Sequence, residues 1–189
     1  KGVYINLNSA PQSADKNDVF LNRTKELEYT VISNDFKKIP GTPIAYWASP
    51  EVIQVFEMSG SLEQDYSAKT GVMTGDDEFF LKSWYEVNYE SIGFNYSSEE
   101  NIERNHRFFP MNKEEGFRKW AGRNSVVFRY VGRGAEHAAR SDINYRLRDK
   151  TLYFKAGISW GDVTSGDISF RYQRPGLIFA ARAPTVFSE

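Results

Sequence analysis

The chain has 189 residues, 40% of them hydrophobic and 26% charged, with a net charge of -1, a size and balance that fit one globular domain able to bury its own core. No run of about 18 apolar residues is present to span a bilayer, and the lack of cysteine excludes disulfides and thiolate metal sites and fits a reducing, cytoplasmic setting. The neutral total hides an uneven distribution, since residues 1–101 hold 8 Lys and Arg against 16 Asp and Glu, whereas residues 102–174 hold 15 against 8.

Taken in chain order, Val3 to Leu7 alternates as a strand, and Asp15 to Lys25 reads as a short helix with Val19, Phe20 and Leu21 facing inward and Ser13 as its N-cap. Glu28 to Ile32 returns to strand. Ile39-Pro40-Gly41-Thr42-Pro43 is a turn-rich connector leading to Ile44-Ala45-Tyr46-Trp47. Ser49 then caps a helix with Pro50 at its first position, an apolar face of Val52, Ile53, Val55 and Phe56, and an end at Ser59-Gly60.

Beyond residue 60 the pattern turns to short strands. Phe79 to Val87 can be drawn as strand or helix, and its aromatic and β-branched content favours a strand. Arg107 to Phe109, Ser125 to Val131, Thr151 to Phe154, Ile168 to Tyr172 and Leu177 to Ala181 are each bounded by turn residues. A short helix is expected over Ala135 to Arg140, after Gly132-Arg133-Gly134. The expected fold class is α+β: a β-rich domain with a curved, mostly antiparallel sheet and a few short helices. Residues 1–59 form a connector and N-terminal α/β segment on the same core, and residues 60–189 form the main unit. The chain opens at Lys1-Gly2 without an initiator methionine, which reads as a fragment of something longer.

The most informative stretch runs from Lys69 to Val87, where a Gly-Thr-Gly-Asp loop sits between hydrophobic segments. Gly71 and Gly75 permit positive φ or close backbone approach, and Thr74, Asp76 and Asp77 can close the turn through their own oxygens. Adjacent carboxylates in such a loop form turns more often than they act as an acid-base pair. His106 and His137 are too far apart for a helical metal pair, so no metal is expected. The chain has no phosphate-binding P-loop, and Gly132-Arg133-Gly134 lacks the third glycine of a dinucleotide loop. Cations alternate with aromatics over Arg107 to Lys113 and Phe117 to Gly122, a combination suited to phosphate contact. Phe108, Phe117 and Trp120 are expected to point inward, with the charges toward a partner. Trp47, Trp84, Trp120 and Trp160 are assigned to packing.

The strings Thr74-Gly75-Asp76 with Phe79 and Trp84-Tyr85-Glu86-Val87; Phe109-Pro110, Asn112-Lys113 and Phe117-Arg118-Lys119-Trp120 with Gly122; Tyr153-Phe154-Lys155 and Gly157-Ile158-Ser159-Trp160; and Arg171-Tyr172, Pro175-Gly176 and Phe179 resemble the target-recognition region of adenine-specific DNA methyltransferases of the PglX type, from BREX phage-defence systems. Ile39 to Trp47 resembles the segment that joins the catalytic fold to that region. The match follows the same order along nearly the whole chain. It departs at Glu114-Glu115-Gly116, where the family often has a glycine pair, and at Thr164-Ser165-Gly166 in a serine-rich loop.

The resemblance implies a C-terminal DNA-reading domain whose partners are double-stranded DNA and an N-terminal methyltransferase domain using S-adenosylmethionine. No cofactor, metal or membrane is expected for these residues, and no Pro-Pro-aromatic methyl-transfer motif occurs in them, so the fragment alone should be inactive. The implied DNA-binding residues are Lys69, Thr70, Thr74, Gly75, Asp76, Asn112, Lys113, Arg118, Lys119, Ser159 and Ser165. The parent would serve BREX or restriction-modification defence. Two rival readings are a stand-alone β-rich module binding carbohydrate or protein, and a hydrolase built on Asp76 and Asp77.

Overall fold

The computed structural model describes residues 1–61, 64–113, 116–163 and 166–188. The chain divides into two compact units, Lys1–Ser61 and Leu62–Glu189. No helix among the described residues is long and apolar enough to cross a membrane.

In the first unit, β1 (Gly2–Ile5) pairs antiparallel with β2 (Glu28–Val31), Val3 lying opposite Thr30. Helix α1 (Lys16–Leu21) is capped by Asp15, whose carboxylate accepts from the Asn17 N–H, and not by Ser13. Asp15 sits at the boundary where the first free N–H groups need an acceptor. Helix α2 (Pro50–Met58) starts as expected, with the Ser49 hydroxyl accepting from Val52 N–H at 3.4 Å and Pro50 in the first turn. Its apolar face is not a core face, since Val52, Val55, Phe56 and Met58 are all exposed. The unit is held by a small core of Phe36, Ile39 and Ala45 and by an aromatic group in which Tyr46 stacks on Tyr4 and meets Tyr29 and Trp47 edge-on.

The second unit contains β3 (Tyr66–Lys69), β4 (Leu81–Ser83), β5 (Phe108–Asn112), β6 (Trp120–Ala121), β7 (Val126–Arg129), β8 (Gly157–Trp160), β9 (Phe170–Gln173), β10 (Ile178–Phe179) and β11 (Thr185–Ser188), with short helices α3 (Asp77–Phe80) and α4 (Ala135–Ala138). One sheet has the order β10-β5-β7-β4 and another β3-β11-β8-β9-β6. Among the described strands, the β10–β5 and β6–β9 pairings are parallel and the others antiparallel. With its mixed sheets and short helices, the protein is α+β. β5 lies between β10 and β7, pairing with β7 over Phe108–Pro110 on one edge and with β10 over Met111–Asn112 on the other. Phe80, Phe109, Phe128, Tyr130, Tyr153, Phe154, Ile178, Phe179 and Phe187 form the core.

The expected strand from Phe79 to Val87 is instead helix, strand and turn. The Asp76 carboxylate caps α3 by accepting from Phe79 N–H at 3.0 Å. β4 then lasts three residues before Ser83 and Glu86 form a capping box around a 3-10 turn at Trp84–Glu86. These side chains satisfy N–H groups that a strand would have offered to a neighbour. Thr151 to Phe154 likewise forms a 3-10 turn at Lys150–Leu152, flanked by left-handed Asp149 and Phe154. Tyr153 and Phe154 nonetheless enter the core. Trp47, Trp84 and Trp120 are exposed, Trp120 by 74%, and Phe117 is exposed as well; Trp47 still meets Tyr46 edge-on. Trp120 has φ +71, so the strand alternation that would have turned its ring inward does not apply.

Candidate functional site

The segment after β3 is positioned by close backbone packing. A Cβ on Gly71 would lie 1.9 Å from the Phe179 carbonyl oxygen, because Val72 N–H donates to that carbonyl and Ala181 N–H returns to Val72. Met73 exchanges both backbone hydrogen bonds with Arg146. Gly75 has φ +76, and a Cβ there would meet the Asn144 carbonyl oxygen at 2.8 Å. Gly71 is thus needed for approach, while Gly75 is needed for approach and conformation together.

The polar residues of the turn bind one another. The buried Thr74 hydroxyl donates to one Asp77 oxygen, and Lys113 Nζ lies 2.7 Å from the other. Burial pushes the Asp77 carboxyl upward, but its hydrogen bonds with Lys113 and Thr74 outweigh that and hold it below the usual carboxylate range. Asp76 caps α3 and lies 3.3 Å from Arg140, which also grips Asp142. Both carboxylates are therefore occupied in shaping the turn. A hydrolytic acid would need a raised pKa, and Asp77 has the opposite.

Beside the turn is a cleft of about 340 Å³, with Val72, Leu81 and Met111 among its apolar lining and Thr74, Asp77, Lys113 and Arg182 among its polar lining. Arg146 is backbone-paired to the loop, and Arg148 donates to the Thr70 hydroxyl at 3.2 Å. Among the described residues, Arg146, Arg148 and Arg182 make no ion pair; Arg146 and Arg148 are exposed with their charge available to an anionic partner, whereas Arg182 also acts electrostatically on Asp77. Sequence reading missed all three. For Arg146 and Arg148 the signal available was the arginine density of residues 140–148, and only the fold brings it beside Met73.

Of the expected site residues, the structure brings Thr70, Thr74, Gly75, Asp76 and Lys113 together here, with the exposed Lys69 at the end of β3. Arg118 and Lys119 lie beside β9: Arg118 N–H donates to Ser169, and Lys119 sits over the Phe117 ring. Three expected contacts are buried and face inward. Thr74 is engaged by Asp77, Asn112 donates to Gln173 at 2.8 Å, and Ser159 is fully buried with its hydroxyl 3.5 Å from the Arg171 carbonyl. Their side chains support the site and cannot present themselves to a large ligand. Ser165 lies outside the described residues.

Ser159 also stands in a Gly157-Ile158-Ser159-Trp160-Gly161 string that matches the G-x-S-x-G spacing of a nucleophile elbow. It lies within β8 rather than on a strand-to-helix turn, and burial removes the exposed hydroxyl that such an elbow requires. Among the described residues, no group of three or more His, Cys, Asp or Glu is placed to hold a metal.

No family model matches the chain. Over 199 residues it is 33% identical to the adenine-specific methyltransferase PglX of Lacticaseibacillus casei (strain Zhang), covering 99% of this chain and 16% of that protein. It is also 33% identical over 193 residues to the adenine-specific methyltransferase BrxX of Escherichia coli O9:H4 (strain HS), covering 100% of this chain and 15% of that protein. The chain is thus similar from end to end to one part, about a sixth, of these PglX-type proteins.

Proposed function

We propose that this chain is the DNA target-recognition part of a site-specific adenine methyltransferase, reading duplex sequence for a catalytic part that lies outside these residues and uses S-adenosylmethionine. The observation that carries this reading is the end-to-end similarity to PglX and BrxX. The exposed Arg146 and Arg148, which make no ion pair among the described residues and lie beside the Gly71–Asp77 loop, support it. Arg146, Arg148 and Arg182 hold phosphates and set register, while the exposed Lys69 and Gly75 and the half-buried Thr70 and Lys113 approach base edges. The catalytic part flips out the adenine, so this domain grips the duplex around a base it does not modify. The parent serves BREX or restriction-modification defence in the cytoplasm.

Replacing Arg146, Arg148 and Arg182 together with Ala lowers affinity for duplex DNA on every sequence. The slope of log affinity against log salt becomes shallower by about one for each phosphate that is no longer neutralised. An unchanged slope removes these residues from the interface. Moving residues 60–189 into a related methyltransferase changes the methylated motif; an unchanged motif overturns the reading.

Exposed Trp84 and Trp120 favour a second reading, a β-rich carbohydrate-binding module. That reading predicts glycan binding insensitive to salt and abolished by Trp120→Ala.

A further inference from the structure

The five-stranded sheet has one buried face and one bare apolar face. Its register places Ala68, Val186, Ile158 and Tyr172 in a single row across β3, β11, β8 and β9. Tyr66, Trp160 and Phe170 stand two residues along their strands and share that face. The alternate positions turn inward: Phe187 joins the core, while Thr185, Ser159, Arg171 and Gln173 are buried. An antiparallel sheet with one face in water ordinarily carries polar residues there. None of these seven outward residues is charged, and six of them line an apolar groove of about 420 Å³.

The size of the patch discriminates between occupants. Taking about 200 Å² for a large side chain, the exposed fractions of Tyr66 (43%), Ile158 (49%), Phe170 (45%) and Tyr172 (58%) leave on the order of 400 Å² of bare surface, to which Ala68, Trp160 and Val186 add smaller amounts. That is a functional-sized patch on a monomer, yet smaller than the roughly 800 Å² that each partner contributes to a standard protein interface. A second copy would have to meet the full entropy cost of association on this small area. A segment tethered to the same polypeptide does not, because its effective concentration is already high. The relatives are about six times as long as this chain.

We infer that this sheet face docks an uncharged, apolar surface of the catalytic part of the same polypeptide. The inference rests on the reading that the chain is one part of a longer methyltransferase. The docking fixes the DNA-reading loop, on the far end of β3, at a set distance from the catalytic centre.

Hydroxyl-radical footprinting of wild-type protein tests it without a variant. Trp160 and Tyr172 are labelled at least threefold less in the full-length gene product than in the 189-residue chain; equal labelling overturns the proposal. Ile158→Lys restores labelling of both residues in the full-length protein and lowers its methylation rate at least tenfold, while the short chain keeps its DNA affinity and salt slope. Two other occupants are read by the short chain alone. Dimerisation abolished by Ile158→Lys assigns the face to a second copy, and loss of nucleic-acid binding in that variant assigns it to DNA bases; either overturns the proposal. Footprint protection without any DNA affinity leaves the docking standing and sinks the recognition reading instead.

Discussion

The two sheets of the second unit use similar residues to opposite ends. In the four-stranded sheet every residue of β5 is buried, including Asn112, and Phe109, Phe128, Ile178 and Phe179 lie at or near zero exposure. In the five-stranded sheet, β9 alternates strictly, with Phe170 and Tyr172 outside and Arg171 and Gln173 inside. One sheet commits its aromatics to stability. The other buries its polar residues and shows its aromatics, an inversion of the usual distribution in water-soluble proteins. The difference locates rigidity under the Gly71–Asp77 loop and leaves the other sheet's outer face for contact.

The largest test of this contrast compares Phe109→Ala with Tyr172→Ala in the 189-residue chain by urea unfolding. Phe109 is fully buried and packs edge-on against Tyr96, Tyr130 and Phe154, so its loss costs about 3–5 kcal/mol. Tyr172→Ala changes stability by about 0.5 kcal/mol or less, as for an ordinary surface position. Equal costs would mean that the five-stranded face is part of the fold's core.

Acid sharpens the contrast next. His137 on α4 is fully buried, stacks on Phe80 at 3.5 Å and lies near Phe128. Neither ring nitrogen has a hydrogen-bond partner among the described residues. Burial pushes its pKa down to about 4, with Glu136 opposing and Lys150 and Arg140 assisting. The unfolded chain, with an ordinary value near 6.5, therefore binds the proton first, and stability falls as pH drops from about 6.5 to about 4. The loss is about 3 kcal/mol. Asp77 and Glu136, both held below the usual range, add their losses at lower pH. His137→Leu flattens the profile between pH 6.5 and 4; an unchanged slope would assign the acid sensitivity elsewhere.

Sequence reading reached the fold class, the start of α2 and the turn-forming role of Asp76 and Asp77, because each of these follows from local chemistry. Periodicity identified β5 and β7 for the same reason. It failed from Phe79 to Val87, where Asp76 and the Ser83–Glu86 box captured backbone N–H groups, and at Trp120, where a positive φ broke the alternation. It also took Asn112 and Ser159 for exposed contacts. Their neighbours across the fold, Gln173 and Arg171, lie 61 and 12 residues away, and no local pattern carries that information. Arg146 and Arg148 show the same limit, since they reach the loop through pairing with Met73 and Thr70.

The smallest expected effect concerns the bond that joins the two sheets. Asn112 on β5 donates to the Gln173 side-chain oxygen on β9, while the Gln173 amide donates to the Lys155 carbonyl at 3.0 Å. Thr185 approaches the same Gln173 oxygen at only 3.5 Å and has a better acceptor in Ala183 at 3.0 Å. Asn112→Ala therefore leaves a buried oxygen poorly satisfied, at a cost of about 1–3 kcal/mol. Replacing both partners, Asn112→Leu with Gln173→Leu, removes the unsatisfied group along with the bond, so the double variant costs less than the two single leucine changes added together. Additive costs in that cycle would mean that the sheets are held by their apolar contact alone. Because Lys113, the partner of Asp77, follows Asn112 directly, the Ala variant also loosens the loop, and a weakened duplex affinity with an unchanged salt slope would identify that loosening as positional rather than electrostatic.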